Sequence, residues 1–161
     1  MIKGTRALQI NPPGTPEDEV LTREMIWPSL ISKATHAVPF VKAITACRII
    51  EHTKTGFVRE ATVFGQAARE NIVLFPKERI VFERLSGPAD GFLENIVEES
   101  DDGLMLRFAY ELSFAGSSEE EERAFGEKLE AGYLSTLATV IDHARNEMLR
   151  NASRGGSHQA I

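Results

Sequence analysis

The chain has 161 residues, of which 42% are hydrophobic and 26% are charged, values typical of one ordinary globular domain with a real core. Its 18 basic and 24 acidic residues give a formal net charge of -6, and the basic residues are scattered along the chain. This distribution argues against binding to DNA, RNA or anionic membranes. Cys47 is the one cysteine, so an intrachain disulfide is excluded and the thiol is interpreted as a small, half-buried hydrophobe in a strand.

The sequence also lacks the patterns of several functional classes. It has no apolar run near 18 residues and no secretory signal pattern, so we expect a cytoplasmic protein without membrane insertion. The histidines at positions 36, 52, 143 and 158 are spaced too irregularly to share a metal ion, and no glycine-rich phosphate loop is present. We therefore expect neither a metal nor a cofactor. The oligomeric state is left open, with a homodimer as one alternative.

The N-terminal part predicts a strand followed by two short helices. The strand covers residues 2–10 and ends at an Asn-Pro-Pro-Gly run that is typical of a turn. Thr22 can cap the first helix. Pro28 lies inside that helix and predicts a kink or a later start, because proline has no backbone N–H to donate. The second helix is predicted around residues 38–44.

Between residues 46 and 114 the apolar residues recur with a period of two, and turn residues such as Gly65, Gly87 and Gly103 interrupt them. The connections are too short for crossover helices, so neighbouring strands must form antiparallel hairpins. The six predicted strands cover residues 46–52, 57–64, 68–75, 79–85, 92–99 and 104–114.

A long C-terminal helix is predicted over residues 117–151. Ser117 and Ser118 each precede a glutamate by three residues, which is the capping-box pattern of a helix start. Gly132, in the middle of the helix, costs about 1 kcal/mol relative to alanine, so we interpret it as a bend or a close contact with the sheet. The apolar residues that recur at steps of three and four are Phe125, Leu129, Tyr133, Leu137, Val140, Ile141, Ala144 and Met148.

Together these elements predict an α+β fold. A curved antiparallel sheet of about seven strands would grip the C-terminal helix, because that helix is the long amphipathic element able to cover one face of the sheet. One domain is expected over residues 1–151. Residues 152–161 have no periodic apolar face and are expected to form a flexible tail.

Strand periodicity places three polar side chains on the apolar face of the sheet. Arg59, Asn95 and Tyr110 are in phase with apolar neighbours and would point inward. A buried guanidinium needs a counter-charge, water or a ligand anion, and Glu70 is one candidate partner. Alternatively, Arg59 pairs with a surface glutamate or has only a structural role, and Asn95 and Tyr110 make internal hydrogen bonds that tie strands together.

Several short motifs accompany these elements: Ile10-Asn11, Leu21-Thr22-Arg23-Glu24 with Trp27, Pro39-Phe40-Val41 before Cys47, Arg59-Glu60, and Asn95 ahead of Leu106, Phe108 and Tyr110. As a set, over about residues 2–150, they resemble the acetylaranotin-cluster protein L-like (AtaL-like) family of the SRPBCC superfamily, which includes START-type lipid-binding and birch-pollen-allergen-like proteins. Pro28, directly after the tryptophan, departs from the pattern. The resemblance implies a helix-grip fold with a deep pocket between sheet and helix that suits an apolar small molecule, and it implies no particular reaction.

The leading hypothesis is that the chain binds a hydrophobic or amphipathic small molecule, such as a lipid or an aromatic, polyketide-like metabolite, in this pocket. An inward Arg59 would favour anionic amphipathic ligands over neutral ones. The candidate pocket residues are Phe57, Arg59, Ala61, Phe82, Asn95, Phe108, Tyr110, Tyr133 and Leu137.

Two alternatives belong to other functional classes. One is a cyclase-, lyase- or isomerase-like enzyme in which Arg59 stabilises an enolate or carboxylate, Asn95 orients the substrate and Tyr110 donates a proton. It requires a pocket where these three side chains converge. The other is a protein-interaction or co-chaperone-like module, which requires an exposed apolar patch on the outer face of the sheet.

Overall fold

The described part of the chain folds into one seven-stranded sheet with two α-helices against it. The computed structural model describes residues 1–159, and the side chains of residues 1–154. All neighbouring strands are antiparallel, in the order β1-β7-β6-β5-β4-β3-β2. The prediction of an α+β fold with about seven antiparallel strands is therefore confirmed. The strands are β1 (Ile2–Gln9), β2 (Ile44–His52), β3 (Gly56–Val63), β4 (Gln66–Phe75), β5 (Arg79–Ser86), β6 (Ala89–Ser100) and β7 (Gly103–Phe114).

Strands β1 and β2 follow each other in the chain but lie at opposite edges of the sheet. The segment between them must therefore pass across one end of the sheet, and it does so through a short 3-10 turn and helix α1 (Arg23–Thr35). Strand β1 closes the other edge by pairing with β7, with Ile2 opposite Leu112. This route places α1 where it can contact both the sheet and the C-terminal helix.

Helix α1 begins where its capping residue predicts. The hydroxyl of Thr22 accepts a hydrogen bond from the backbone N–H of Met25 at 3.3 Å. Pro28 stays inside the helix instead of delaying its start. Both Pro28 and Glu24, the residue four positions earlier, are exposed, so the carbonyl that loses its partner can bond to water.

The predicted second short helix over residues 38–44 does not form. The backbone N–H groups of Phe40 and Val41 both donate to the carbonyl of Ala37 at 2.9 Å, which makes a tight turn, and β2 already begins at Ile44. A single turn anchored in this way leaves too few residues before the strand for a helix.

Helix α2 spans Glu119–Gln159 and starts with the predicted capping box. The Ser118 hydroxyl accepts from the backbone N–H of Glu121 at 3.1 Å, and the Glu121 carboxylate accepts from the backbone N–H of Ser118 at 3.3 Å. The helix continues eight residues beyond the predicted end at position 151, while residues 160–161 of the expected tail lie outside the described residues. No helix among the described residues is long and apolar enough to cross a membrane.

The hydrophobic core lies between one face of the sheet, α1 and α2. Along β7 the even-numbered residues are buried, from Leu104 to Leu112, as the period-two pattern predicts. Helix α2 contributes a buried stripe that packs on β1, β7 and α1. The largest fully buried apolar side chains are Phe108, Ile10, Leu21, Ile26, Leu30, Ile72, Ile80, Leu106, Leu137 and Val140.

Gly132 does not make the close contact that the sequence suggested. It is exposed, and a Cβ atom built on it would meet no atom within 4 Å. Gly126, six residues earlier, is the glycine at a close approach, because its Cβ would lie 3.3 Å from both Ile2 Cδ1 and the Tyr110 hydroxyl. The close contact predicted at Gly132 is therefore wrong, and the close contact of the helix occurs at Gly126.

We expect Gly132→Ala to raise the free energy of unfolding by about 1 kcal/mol, because it restricts the unfolded chain and adds no clash. Chemical denaturation of the variant and the wild type measures this difference. Gly126→Ala is the matched control and should not show the gain, since its methyl group must displace packed atoms. Equal effects at the two positions would contradict this assignment.

We expect a chain that ends at Asn151 to keep the melting temperature of the full chain within about 2 °C, because residues 152–154 of α2 are exposed and bury little surface. A thermal melt followed by circular dichroism tests this expectation. A fall of many degrees would show that the last turns of α2 stabilise the fold.

Candidate functional site

A cavity of about 450 Å³ lies between the sheet and α2. Its rim is formed by exposed residues of two hairpins and of the start of α2, among them Phe64, Pro88 and Lys128. The buried end is polar and is described below. The apolar wall between them consists of Val41, Ala43, Ile44, Val63, Ala89, Leu93, Leu112, Phe114, Phe125 and Leu129.

At the buried end, three charged side chains lie side by side on adjacent strands. Arg59 of β3 is opposite Glu70 of β4, and Glu70 is opposite Arg84 of β5. Arg59 Nε donates to one Glu70 oxygen at 2.9 Å, with Nη2 at an ion-pair distance of 2.8 Å from the same oxygen, and Arg84 Nε donates to the other oxygen at 3.2 Å. Arg59 therefore pairs with Glu70, which the sequence analysis named as one candidate partner, and not with a surface glutamate.

Burial and charge act in opposite directions on the Glu70 carboxyl. Its side chain is 2% exposed, and burial alone would raise its pKa. The charges of Arg59 and Arg84 and the hydrogen bond from Arg59 act the other way, and the pKa is lowered below 4.5. Glu70 is therefore an anion in the folded protein at neutral pH.

The cluster carries an excess of positive charge, because two guanidinium groups surround one carboxylate. Arg59 uses its remaining Nη1 to donate to the carbonyl of Ala34 in α1 at 2.9 Å. Arg84 uses only Nε, and its two terminal nitrogens make no hydrogen bond to any other residue that the structure describes. The side chain of Arg84 is 10% exposed and lines the cavity, so these nitrogens are available to a ligand.

Lys33 of α1 is the second basic feature of the buried end. It is 3% exposed and lines the cavity. Its Nζ donates to Asn95 Oδ1 at 2.7 Å and to the Tyr133 hydroxyl. Burial and the neighbouring charge of Arg59 lower the pKa of Lys33 well below its usual value, and Glu70 offsets only part of this effect.

Tyr133 of α2 is held in place by its ring and by its oxygen. The ring stacks on Phe108 with centroids 3.5 Å apart and planes within 5°. The oxygen also accepts from Asn95 Nδ2 at 3.1 Å, whereas the hydroxyl proton has only a long contact of 3.5 Å to Asn95 Oδ1. Burial raises the pKa of Tyr133, so the hydroxyl keeps its proton and can donate it to a ligand oxygen.

The structure divides the nine predicted pocket residues into two groups. Arg59, Phe82 and Tyr133 line the cavity. Six others are buried and are absent from its lining, and of these Asn95 lies directly behind it through its hydrogen bonds to Lys33 and Tyr133. The remaining five belong to the packed core: Phe57, Ala61, Phe108, Tyr110 and Leu137.

Tyr110 does not converge with Arg59 as the enzyme alternative required. Its hydroxyl donates to Glu130 Oε1 on α2 at 3.1 Å, outside the cavity. Burial, together with Glu130, raises the pKa of Tyr110 to about 12. Tyr133 is the tyrosine whose hydroxyl lies among the basic residues.

Sequence reasoning did not select Lys33 or Arg84. Both have a signal in the sequence. Lys33 is three residues after Leu30 and seven after Ile26, which places it on the buried face of α1. Arg84 is in phase with the buried Ile80 and Phe82 of β5. A cation that falls on the apolar face of an element is the signal that identifies each of them.

The sheet, the long helix and the cavity between them define a helix-grip protein. The chain belongs to the AtaL family, described as acetylaranotin biosynthesis cluster protein L, whose match covers residues 7–150. The family resemblance seen in the sequence is thereby confirmed. Comparison with curated proteins finds no match.

Solved structures of low sequence identity share the fold. The di-domain ARO/CYC StfQ from the steffimycin biosynthetic pathway superposes with a TM-score of 0.69 at 11% identity, over 90% of this chain and 51% of that one. The ZhuI aromatase/cyclase from Streptomyces sp. R1128 gives 0.56 at 16% identity, over 94% of each chain. A START superfamily protein from Mycobacterium smegmatis gives 0.57 at 13% identity, over 91% of this chain and 98% of that one.

We expect Glu70→Gln to lower the free energy of unfolding by about 3–5 kcal/mol, because it leaves two guanidinium groups in the interior without a counter-charge. Denaturant titration at pH 7 measures the loss. Glu60→Gln is the matched control, since Glu60 also bridges two arginines, Arg48 and Arg69, but does so at the surface. Its loss should be much smaller because water screens exposed ion pairs.

The stability of the wild type and that of Glu70→Gln should also depend differently on pH. The folded-state pKa of Glu70 is lowered from 4.5, so its stabilisation is present above about pH 4.5 and is lost as the pH falls through the lowered pKa. The difference in free energy of unfolding between wild type and Glu70→Gln should therefore decrease as the pH is lowered. A gap that is constant from pH 7 to pH 3 would contradict this role for the carboxylate.

Proposed function

We propose that the chain binds an amphipathic small molecule with an apolar body and an anionic oxygen group in the cavity between sheet and α2. The observation that carries this proposal is the asymmetry of the cavity, whose long wall is apolar and whose buried end holds a net positive charge. The protein as a whole has a formal charge of -6, so the positive charge of the cavity is local.

The electrostatics favour an anion over a neutral ligand. A ligand carboxylate, phenolate or enolate can accept hydrogen bonds from the terminal nitrogens of Arg84. In a low-dielectric site such charge-assisted hydrogen bonds are stronger than hydrogen bonds between neutral groups. A neutral apolar molecule would displace water from the same nitrogens and would offer them no hydrogen-bond acceptor in its place. Arg84 is therefore proposed to select the ligand charge, and Arg59 is proposed to hold Glu70.

The kinds of protein that share the fold support the choice of ligand class. The structural neighbours include proteins named as aromatase/cyclases and as a START superfamily member. A lipid or an aromatic, polyketide-like metabolite with an acidic group fits both the apolar wall and the positive end.

A second candidate function is a cyclase-, lyase- or isomerase-like reaction in the same cavity. The observation that favours it is the contact between the buried amine of Lys33 and the Tyr133 hydroxyl, beside the guanidinium of Arg59. Tyr133 then takes the proton-donor role that the sequence analysis gave to Tyr110.

We expect Arg84→Met to weaken binding of 2-naphthoic acid by about 1–3 kcal/mol, or roughly 5- to 150-fold in Kd, while binding of 2-naphthamide changes little. Paired titrations by calorimetry measure both ligands against both proteins. Arg79→Met is the matched control, because Arg79 is on the same strand but is exposed and lies outside the cavity. Equal losses for acid and amide, or no binding of either to the wild type, would contradict the proposal.

A further inference from the structure

We propose that Lys33 is the reactive amine of the cavity and forms an imine with an aldehyde or ketone carbonyl of a bound molecule. This inference rests on the proposed function, because it needs the same cavity to admit a small molecule. It adds a covalent step and a second ligand feature, a carbonyl group near the buried end.

The hydrogen bonds of Lys33 suit a neutral amine. A neutral amine has two N–H donors and one lone pair, and Nζ has two acceptors in the structure, Asn95 Oδ1 and the Tyr133 oxygen. Both donors are thus used, and the lone pair is left over beside the cavity that Lys33 lines. An ammonium group would have a third donor, for which no acceptor exists among the residues that the structure describes.

The surrounding charges also disfavour the ammonium form. Glu70 is the carboxylate of this cluster, and its two oxygens contact Arg59 and Arg84; no described carboxylate lies within ion-pair distance of Lys33. The rings of Phe82 and Tyr133, 4.4 and 4.9 Å from Nζ, favour the ammonium and offset part of this effect. Desolvation in an apolar pocket next to another cation is a known way to activate a lysine as a nucleophile.

The position of Lys33 separates it from every other lysine. It is buried at the inner end of the cavity, and Lys128, which lies on the rim of the same cavity, is exposed. A molecule that fills the cavity therefore places its inner end against Lys33. The exposed lysines are Lys3, Lys42, Lys54, Lys77 and Lys128.

The reaction balances without an oxidant or reductant. The Nζ lone pair forms the C–N bond while the carbonyl π electrons move to oxygen, which takes the Tyr133 hydroxyl proton, and an N–H proton passes to the phenolate. Tyr133 then protonates the hydroxyl group of this carbinolamine, which leaves as water as the nitrogen lone pair forms the C=N bond. The remaining N–H proton returns to the phenolate. Overall, one amine and one carbonyl give one imine and one water.

The test uses the full chain and 2-naphthaldehyde, an aldehyde on the same scaffold as the acid above. The protein is incubated with the aldehyde and sodium cyanoborohydride at pH 6.5, and peptide mapping by mass spectrometry locates the reduced adduct. At this pH an ordinary lysine is unprotonated in roughly one molecule in 8,000. We expect Lys33 to be labelled at least about tenfold faster than Lys128, and 2-naphthoic acid to suppress this labelling.

Two variants complete the experiment. Lys33→Met should lose the fast-forming adduct, and Lys54→Met, at an exposed lysine outside the cavity, should keep it at the wild-type rate. If Lys33→Met does not fold, the test is the position of the adduct in the wild-type protein, as located by peptide mapping. Mapping also separates any adduct on the N-terminal amine from one on Lys33.

The outcomes distinguish this inference from the proposed function. If 2-naphthoic acid binds but the adduct is spread over exposed lysines without an excess at Lys33, the imine is refuted and the binding function stands. If neither the acid nor the aldehyde occupies the cavity, both are refuted. Fast labelling of Lys33 that the acid does not suppress would also overturn the placement of the reaction in the cavity.

Discussion

The rest of the site depends on the ion pairs that the Glu70 carboxylate forms with Arg59 and Arg84. Without it, two guanidinium groups would face an apolar interior with no counter-charge, which is among the costliest arrangements in a protein. Its geometry follows from the antiparallel register, because the three residues are cross-strand neighbours on β3, β4 and β5. The sheet therefore builds a charged cluster at the inner end of an apolar cavity, and the cluster keeps one positive charge in excess.

This cluster also fixes the helix that carries Lys33. Arg59 donates to the Ala34 carbonyl near the C-terminal end of α1, where the helix dipole favours a positive charge. The bond ties α1 to β3 one residue away from Lys33. Both oxygens of Glu70 contact the arginines, and the amine at this position donates to Asn95 and Tyr133 and not to a carboxylate.

The entrance of the cavity has a different chemistry from its inner end. Phe64, at the tip of the β3–β4 hairpin, adopts a positive φ of 48° and packs edge-on against Phe125 of α2, which in turn packs against Phe114. Lys128 lies over the Phe64 ring at 4.9 Å. A ligand would thus pass an aromatic rim with one exposed cation before it meets the apolar wall.

Much of this arrangement could be read from the sequence, because it depends on local periodicity. The period-two pattern and the turns predicted all seven strands to within a few residues, and the serine-glutamate pairs predicted the start of α2. The phase of β3 and β4 turned Arg59 inward and named Glu70 as one candidate partner, and the structure contains this pair. These features follow from the alternation of side chains along a strand, which is a property of the chain itself.

Tertiary structure alone decided which buried residues meet the cavity and which lie in the packed core. Periodicity reports the face on which a side chain lies but not its depth, so Phe108 and Tyr133, which stack on each other, received the same prediction although only Tyr133 lines the cavity. Likewise, the line along which α2 crosses the sheet brings Gly126, not Gly132, against β1. The hydrogen bonds among Lys33 on α1, Asn95 on β6 and Tyr133 on α2 depend on how three segments that are distant in sequence pack together. No local sequence pattern encodes this packing.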